Sequence, residues 1–280
     1  MDPIDAAELA LSLPGIDPER PSPARIYDFW LGGSQNFEAD REAGRRAAEA
    51  MPTLPASLRA NRVFLGHIVQ HLAAERGITQ FLDLGSGVPT VGNVHEVAQA
   101  ANPEATVVYV DIDPVAVAHA RALLADDPRA HAVLADLRET ASVLAHPLVR
   151  DGIDWSRPVA VLLFAVLHFI PDTDQAGRIV RGYAEPCVPG SFLAISHGAP
   201  DRAAPQAQAS AAGDYSARTG VPFAARTSEQ VADWLTGLEI QPPGVQDIRV
   251  WLPELNECRN PISPVHGVLA RKPRSGRPDG

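Results

Sequence analysis

Between residues 80 and 196 five short apolar runs, Gln80–Leu84, Thr106–Val110, Ala132–Leu134, Val159–Ala165 and Ser191–Ser196, alternate with segments of helical spacing such as NVHEVAQAANP and PVAVAHARALLADDP. Two parallel neighbours in a sheet need a crossover of a dozen residues or more between them, and a helix is the usual crossover. Strand and helix in strict alternation therefore predict a parallel sheet covered by helices on both faces. The run Val159–Ala165 has no polar residue, as befits a central strand buried on both sides. A chain of 280 residues, 45 % of them apolar, can bury enough surface to hold such a sheet without disulfides or structural metal.

The flanks follow other patterns. Ala24–Trp30, Phe37–Met51 and Ser57–Glu75 have helical spacing, with Asn36 as a candidate N-cap and Pro52 and Pro55 as punctuation. Beyond the alternating region, Gln206–Arg218 and TSEQVADWLTGL predict two further helices. Two strand-like runs, Val245–Leu252 and Pro264–Arg271, come last. The stretch joining them is too short for a helical crossover, which predicts an antiparallel hairpin. The expected organisation is a loose leader over 1–20, a helical extension over 21–75, an α/β core over 76–272 and a disordered tail over 273–280.

The charge balance narrows the function. A net charge of −10, with Lys272 the only lysine, opposes nucleic-acid binding, which draws on Lys and Arg to neutralise phosphates. Cys187 and Cys258 form no zinc spacing and no disulfide framework, and no His/Asp cluster has ligand spacing, so no metal is expected. The acidic start lacks the basic segment of a signal peptide. The longest apolar run, Val159 to Ile170, is too short to cross a bilayer. The expectation is a soluble, cytoplasmic protein with no nucleic-acid or membrane partner and an open oligomeric state.

Open parallel sheets bind ligands beyond the carboxyl ends of their strands. Three successive strands of this chain end in acids: Asp83, followed by Gly85 and Gly87; Asp111; and Asp136, followed by Leu137. The two glycines allow a sharp turn and close backbone approach to a ligand. Asn93, with Glu96 three residues on, is a capping signature that opens the next helix, whose free N–H groups suit a carboxylate or phosphate. Asp111 is placed to accept ribose hydroxyls and Asp136 an adenine amino group, whereas Asp113 before Pro114 reads as a helix cap.

DLGSG, VDIDP and ADL in this order resemble the class I S-adenosylmethionine-dependent methyltransferases. More narrowly, PSPARIYDFWLGGSQNFEADRE, FLDLGSGVPTVGNVHEVAQ, VVYVDIDPVAVAHARALL, PVAVLLFAVLHFIPD and RTSEQVADWLTGLEIQPPGV resemble a bacterial methyltransferase family long catalogued as a domain of unknown function, over about residues 21–273. The resemblance implies a Rossmann-like fold, a mostly parallel seven-stranded sheet with the last strand inserted antiparallel, and S-adenosyl-L-methionine as cofactor. Carried over by motif, Asp83, Gly85 and Gly87 would hold the methionine end, Asp111 the ribose, and Asp136 with Leu137 the adenine. Many members of the class carry a third glycine where this chain has Pro89, which fixes φ and donates no N–H.

Rivals fit less well. A dinucleotide fingerprint of NAD-dependent dehydrogenases would need glycine at Thr90; a P-loop and a GxSxG elbow are absent. The chain has neither the Asp/Asn-Pro-Pro-aromatic turn of amino-methylating DNA enzymes nor a cysteine at the fourth strand end. These absences and the charge point to a small-molecule methyl acceptor with an O, N or C nucleophile, a protein being second choice. A cofactor-binding regulator without catalysis is the alternative from another class. His168 and His197, each at a strand end, are the candidate bases, since histidine titrates near neutrality; His95 reads as helix packing. Tyr27 and Asn36 in the extension are expected to face the cofactor from a lid.

Overall fold

The computed structural model describes residues 16–90, 92–257 and 261–274. The expectations for the first part of the leader, for Cys258 and for the end of the tail lie outside the described residues. Three helices come first: α1 (Pro23–Trp30), α2 (Glu38–Ala50) and α3 (Leu54–Ala74). The alternating region then runs β1 (Gln80–Leu84), α4 (Val94–Ala101), β2 (Thr106–Asp111), α5 (Pro114–Leu123), β3 (Ala130–Leu134), α6 (Thr140–Ala145), α7 (Pro147–Gly152), β4 (Ala160–Phe164), α8 (Thr173–Ala184) and β5 (Phe192–Gly198). The chain continues through α9 (Pro205–Thr219), α10 (Ser228–Trp234), β6 (Glu239–Ile240), β7 (Gln246–Asp247) and β8 (Val265–Arg271).

The strands form one sheet in the order β3-β2-β1-β4-β5-β8-β6, with β7 also paired to β8. The first five are mutually parallel, and β8 is antiparallel to β5 from Phe192 opposite Arg271 to Gly198 opposite Val265. β2 and β4 flank β1 on opposite sides. The order of strand addition therefore reverses beside β1, and a crevice opens there at the carboxyl edge.

Alternation along the strands divides the core. Phe81, Val107 and Leu162 pack with Phe64, Ile68 and Leu72 of α3. Leu82, Val108, Val161 and Leu163 pack on the other face with Val180 and Tyr183 of α8. Period two thus carries Asp83 to the same face as Phe81, the face that α3 covers.

Two expectations change. Val245–Leu252 does not form a strand: only Gln246 and Asp247 pair, opposite Gly267 and His266. The Asp247 carboxylate accepts from the Arg249 N–H at 2.9 Å and starts a single helical turn, Ile248–Trp251. Ile248 and Leu252, four apart, are both buried, a helical spacing that the alternating reading concealed. The expected seven strands become eight, two-residue β6 and β7 both pairing with β8. Asn36 is not the cap of α2 either. Phe37 occupies that position, and its N–H donates to Asp40 Oδ2 at 2.8 Å.

The extension is fastened to the core by a buried ion triad. Arg25 Nε donates to Asp40 Oδ2 at 2.8 Å and Nη1 to Asp113 Oδ2 at 2.9 Å; Ser22 Oγ also donates to Asp113 Oδ2. Asp113 meanwhile caps α5, accepting from the Val115 N–H at 2.8 Å. One side chain therefore joins α1, α2 and the start of α5.

Candidate active site

A cleft of about 730 Å³ lies beyond the carboxyl edge, walled by strand ends on one side and by α1, α3 and α9 on the other. Its two halves differ in chemistry. Over β3-β2-β1 stand Asp83, Asp111 and Asp136; over β4-β5-β8 stand His168, Phe169, Tyr215 and Phe223.

Asp83 is 3 % exposed. Burial pushes its carboxyl up to about 7, with the Arg62 cation pulling it down and Asp111 pushing it up. Burial also raises Asp111 to about 6, against backbone hydrogen bonds that favour its ionised form. Asp111 Oδ2 accepts from the Gly87 N–H at 2.7 Å and Oδ1 from the Asp113 N–H at 2.8 Å. These bonds aim the carboxylate and leave each oxygen a second lone pair. Gly85 turns the chain at φ +72°, where a Cβ would stand 2.3 Å from Val166 Cγ2. Glycine is required there on both counts. The Asn93 N–H donates to Glu96 Oε2 at 2.9 Å, the expected half of a capping box.

Asp136 and Leu137 also line the cleft, but Asp136 is engaged more fully than its sequence position suggests. Arg138 Nε donates to Asp136 Oδ1 at 2.9 Å, and the Arg138 backbone N–H reaches the same oxygen at 2.9 Å. Partial burial raises this carboxyl, yet the Arg138 bonds outweigh burial and hold it below the usual range.

Sequence reasoning passed over three residues here. Ile112 is 60 % exposed at the cleft between Asp111 and Asp113; an apolar residue between two strand-end acids was its signal. Arg62 lines the cleft from α3 and donates to Asn93 Oδ1 at 3.1 Å. Asn61, 3 % exposed on the same wall, has an Oδ1 buried with no hydrogen-bond partner. Neither of the last two lies near a motif.

Tyr27 is on the wall, its hydroxyl donating to Leu58 O at 3.0 Å and accepting from Asn61 Nδ2 at 3.2 Å. Asn36 is not on the wall. Its Nδ2 donates to Asp28 Oδ2 at 2.7 Å and Gly33 O at 2.9 Å, and its Oδ1 accepts from Arg41 at 3.0 Å. The conspicuous YDFWLGG…NFEADR block is thus mainly internal bracing of the α1–α2 turn. His95 packs as expected, its Nδ1 2.8 Å from the Tyr109 hydroxyl.

The second half begins with a strained residue: Ala165, directly after β4, has φ +52°, a conformation that costs a non-glycine residue energy and clusters at functional sites. Its N–H donates to Ser196 Oγ at 3.0 Å. The chain then makes a short 3₁₀ turn, Leu167–Phe169. His168 packs edge-on to Phe169 at 4.3 Å and against Phe223 at 4.8 Å between ring centres. Gly198 admits Phe223, since a Cβ there would stand 2.7 Å from Phe223 Cζ.

His197 fails as a base. It is fully buried, and its Nε2 lies 3.1 Å from Arg226 Nη1. A guanidinium only donates, so Nε2 accepts; Nδ1 then carries the proton and gives it to Gly198 O at 2.9 Å. No lone pair remains to take a proton, and burial, followed by the Arg226 charge, pushes the imidazole down to about 4 against the Gly198 bond. His168 is held well below its usual value by burial, His197 and Arg226 in that order. Arg226 itself, 1 % exposed, escaped the sequence reading although it opens the quoted RTSEQ block.

Among the described residues no His/Cys/Asp/Glu group is placed to hold a metal ion, and no helix is long and apolar enough to cross a membrane.

The sequence from residue 11 to 273 matches a family described as S-adenosyl methyltransferase. No curated protein matches it. Among solved structures, a DUF574-family protein of Streptomyces avermitilis is 41 % identical, with TM-score 0.86 over 92 % of this chain and 99 % of that one. A methyltransferase candidate from Thermobifida fusca is likewise 41 % identical, with TM-score 0.86 over 93 % and 98 %. An S-adenosylmethionine-dependent methyltransferase of Methanosarcina mazei, 16 % identical with TM-score 0.51 over 73 % and 97 %, shares the fold. The match over nearly the whole length, with two relatives at this identity, means that the chain belongs to the S-adenosyl methyltransferase family.

Proposed function

We propose that the acidic half of the cleft holds S-adenosyl-L-methionine and the histidine half a small-molecule nucleophile that receives its methyl group. The observation that carries this reading is the pair of acceptors beside α3. A buried carboxyl at Asp83, displaced to about 7, and an unpartnered buried acceptor at Asn61 Oδ1 line one wall. A positively charged ligand bearing N–H donors would answer both, and the amino-acid end of the cofactor carries an ammonium. Arg62 on the same wall suits its carboxylate. Asp111 would accept the ribose hydroxyls, Ile112 and Leu137 would face the adenine, and Asp136, both of whose oxygens accept from Arg138, would accept from the adenine amino group in exchange for one of those bonds.

When bound, the cofactor supplies a methyl group on a sulfonium, an electrophile strong enough that placement of the nucleophile provides much of the acceleration. The protein's part is to orient the acceptor and exclude water. Tyr27, Trp30 and Leu31 of the extension, which line the cleft, act as its cover, tied down through Arg25. Residues 21–75 thus form a lid that shapes the acceptor pocket.

Calorimetric titration with S-adenosylmethionine, S-adenosylhomocysteine and NAD tests the reading. Micromolar binding of the two sulfur ligands without NAD, weakened about tenfold or more in Asp111→Ala, is expected. Binding of NAD alone would overturn it.

A further inference from the structure

Arg226 is the unusual feature of the histidine half. Its Nε donates to Thr173 Oγ1 at 3.1 Å, Nη1 to Leu167 O at 3.2 Å and to His197 Nε2 at 3.1 Å, and Nη2 to Ile170 O and Pro171 O. Its five N–H groups are all used, and every acceptor is neutral. Among the described residues no carboxylate forms an ion pair with it; Asp172, the one acid that acts on it, has a side chain 58 % exposed. A buried cation is ordinarily paired. Here the charge is met by neutral acceptors, the Trp234 ring at 5.1 Å and the exposed Asp172 alone, and its field reaches the cleft floor at His197 and His168.

His168 completes the picture. It is 8 % exposed on the cleft wall, and its Nδ1 is buried without a partner. A buried N–H without an acceptor costs free energy, so we assign the bare nitrogen to Nδ1 and the proton to Nε2. In this tautomer Nε2 donates, and the ring's one lone pair, on Nδ1, is buried away from an acceptor in the cleft. The surrounding rings, Phe169, Phe223 and Tyr215, with Phe169 and Tyr215 near-parallel at 15°, offer planar apolar walls. Of the charged side chains lining the cleft, the Arg20 guanidinium approaches the end of α9 at Gly220, and the others belong to the acidic half or to the extension.

Building on the methyl-transfer reading, we propose that the acceptor is a planar aromatic or enolic hydroxyl compound, bound as its oxyanion by His168 Nε2–H in the field of Arg226. His168 is then an oxyanion donor and not the general base its strand-end position suggests, and Arg226 is a positioning residue acting through His197 and His168. An oxygen that arrives already ionised needs no base, which suits a site whose two histidines cannot easily take up a proton. An amine acceptor would be protonated in water and repelled by the same field.

The probe is 4-nitrophenol, whose ionised form absorbs in the visible, titrated against pH in the presence of protein saturated with S-adenosylhomocysteine. The account expects the bound phenol to ionise at lower pH than the free one, by about one unit, which means the phenolate binds about tenfold tighter than the phenol. In His168→Phe, which keeps a ring and removes the donor, that shift should vanish while S-adenosylhomocysteine affinity, the folding control, stays. A bound phenol that ionises at higher pH than the free one would overturn the proposal in favour of a neutral acceptor. No phenol binding to protein that does bind S-adenosylhomocysteine would also overturn it, leaving the methyltransferase reading intact. Failure of S-adenosylhomocysteine to bind would remove the reading beneath it.

Discussion

The two halves of the carboxyl edge solve opposite electrostatic problems on one sheet. Over β3-β2-β1 the chain buries acids, and that burial raises Asp83 and Asp111 to about 7 and about 6. Over β4-β5-β8 it buries a cation that has no ion-pair partner among the described residues, and burial, with the Arg226 charge adding to it, pushes His168 and His197 down. On the proposed reading the charge of each half marks what it receives: a cation beside Asp83, an oxyanion beside His168. A protein optimised for stability alone would have paired these groups internally, and leaving them unpaired is a cost characteristic of binding sites.

Removing the clasp between the extension and the core should have the largest effect. Arg25→Ala leaves Asp40 and Asp113 buried without their cation, which should cost about 3–5 kcal/mol of stability, read as a fall in denaturant midpoint. An unchanged midpoint would mean that the extension is not held through Arg25. Next comes Asp111→Ala, which removes charged hydrogen bonds worth about 1.5–3 kcal/mol. S-adenosylhomocysteine affinity should fall about 10- to 150-fold while 4-nitrophenol binding holds; equal loss of both ligands would erase the distinction between the halves.

The acidic half also predicts a stability penalty. The folded Asp83 carboxyl is raised above its unfolded value, so the folded state binds the proton more tightly and loses stability as pH rises from about 4 through about 7. Asp83→Asn should therefore stabilise the ligand-free protein at pH 8 by up to about 4 kcal/mol while weakening cofactor binding. A variant less stable than the parent at pH 8 would contradict the raised carboxyl. The smallest effect is on pH dependence. A group at about 7 is roughly one-tenth ionised at pH 6 and nine-tenths at pH 8, so affinity for S-adenosylhomocysteine should fall about tenfold between pH 8 and 6. A flat profile would mean that Asp83 does not face the ligand's ammonium.

The halves differ as much in how readily they can be read from sequence. Asp83, Asp111 and Asp136 sit at the ends of apolar runs, inside short local motifs, and local patterns are what sequence conveys. The same locality made the parallel sheet legible, because alternation of apolar runs and helical segments leaves little choice of topology. The histidine half is assembled from the turn after β4, the end of β5, α9 and the loop before α10, up to 59 residues apart between Leu167 and Arg226. Nothing local in RTSEQ says that Arg226 reaches His197. Asn36 misled because a striking block invites a functional reading, whereas its amide braces a turn around the buried Asp28. Ile248 misled because a half-buried strand and a single helical turn share the same few apolar positions.

The direct test of the two-compartment account is calorimetric titration of 4-nitrophenol into the protein with and without saturating S-adenosylhomocysteine. Separate halves predict simultaneous occupancy, one molecule of each, with phenol affinity retained or improved when the sulfur ligand is present. Displacement of the phenol by S-adenosylhomocysteine would mean that both occupy one site, and the division of the cleft would be wrong.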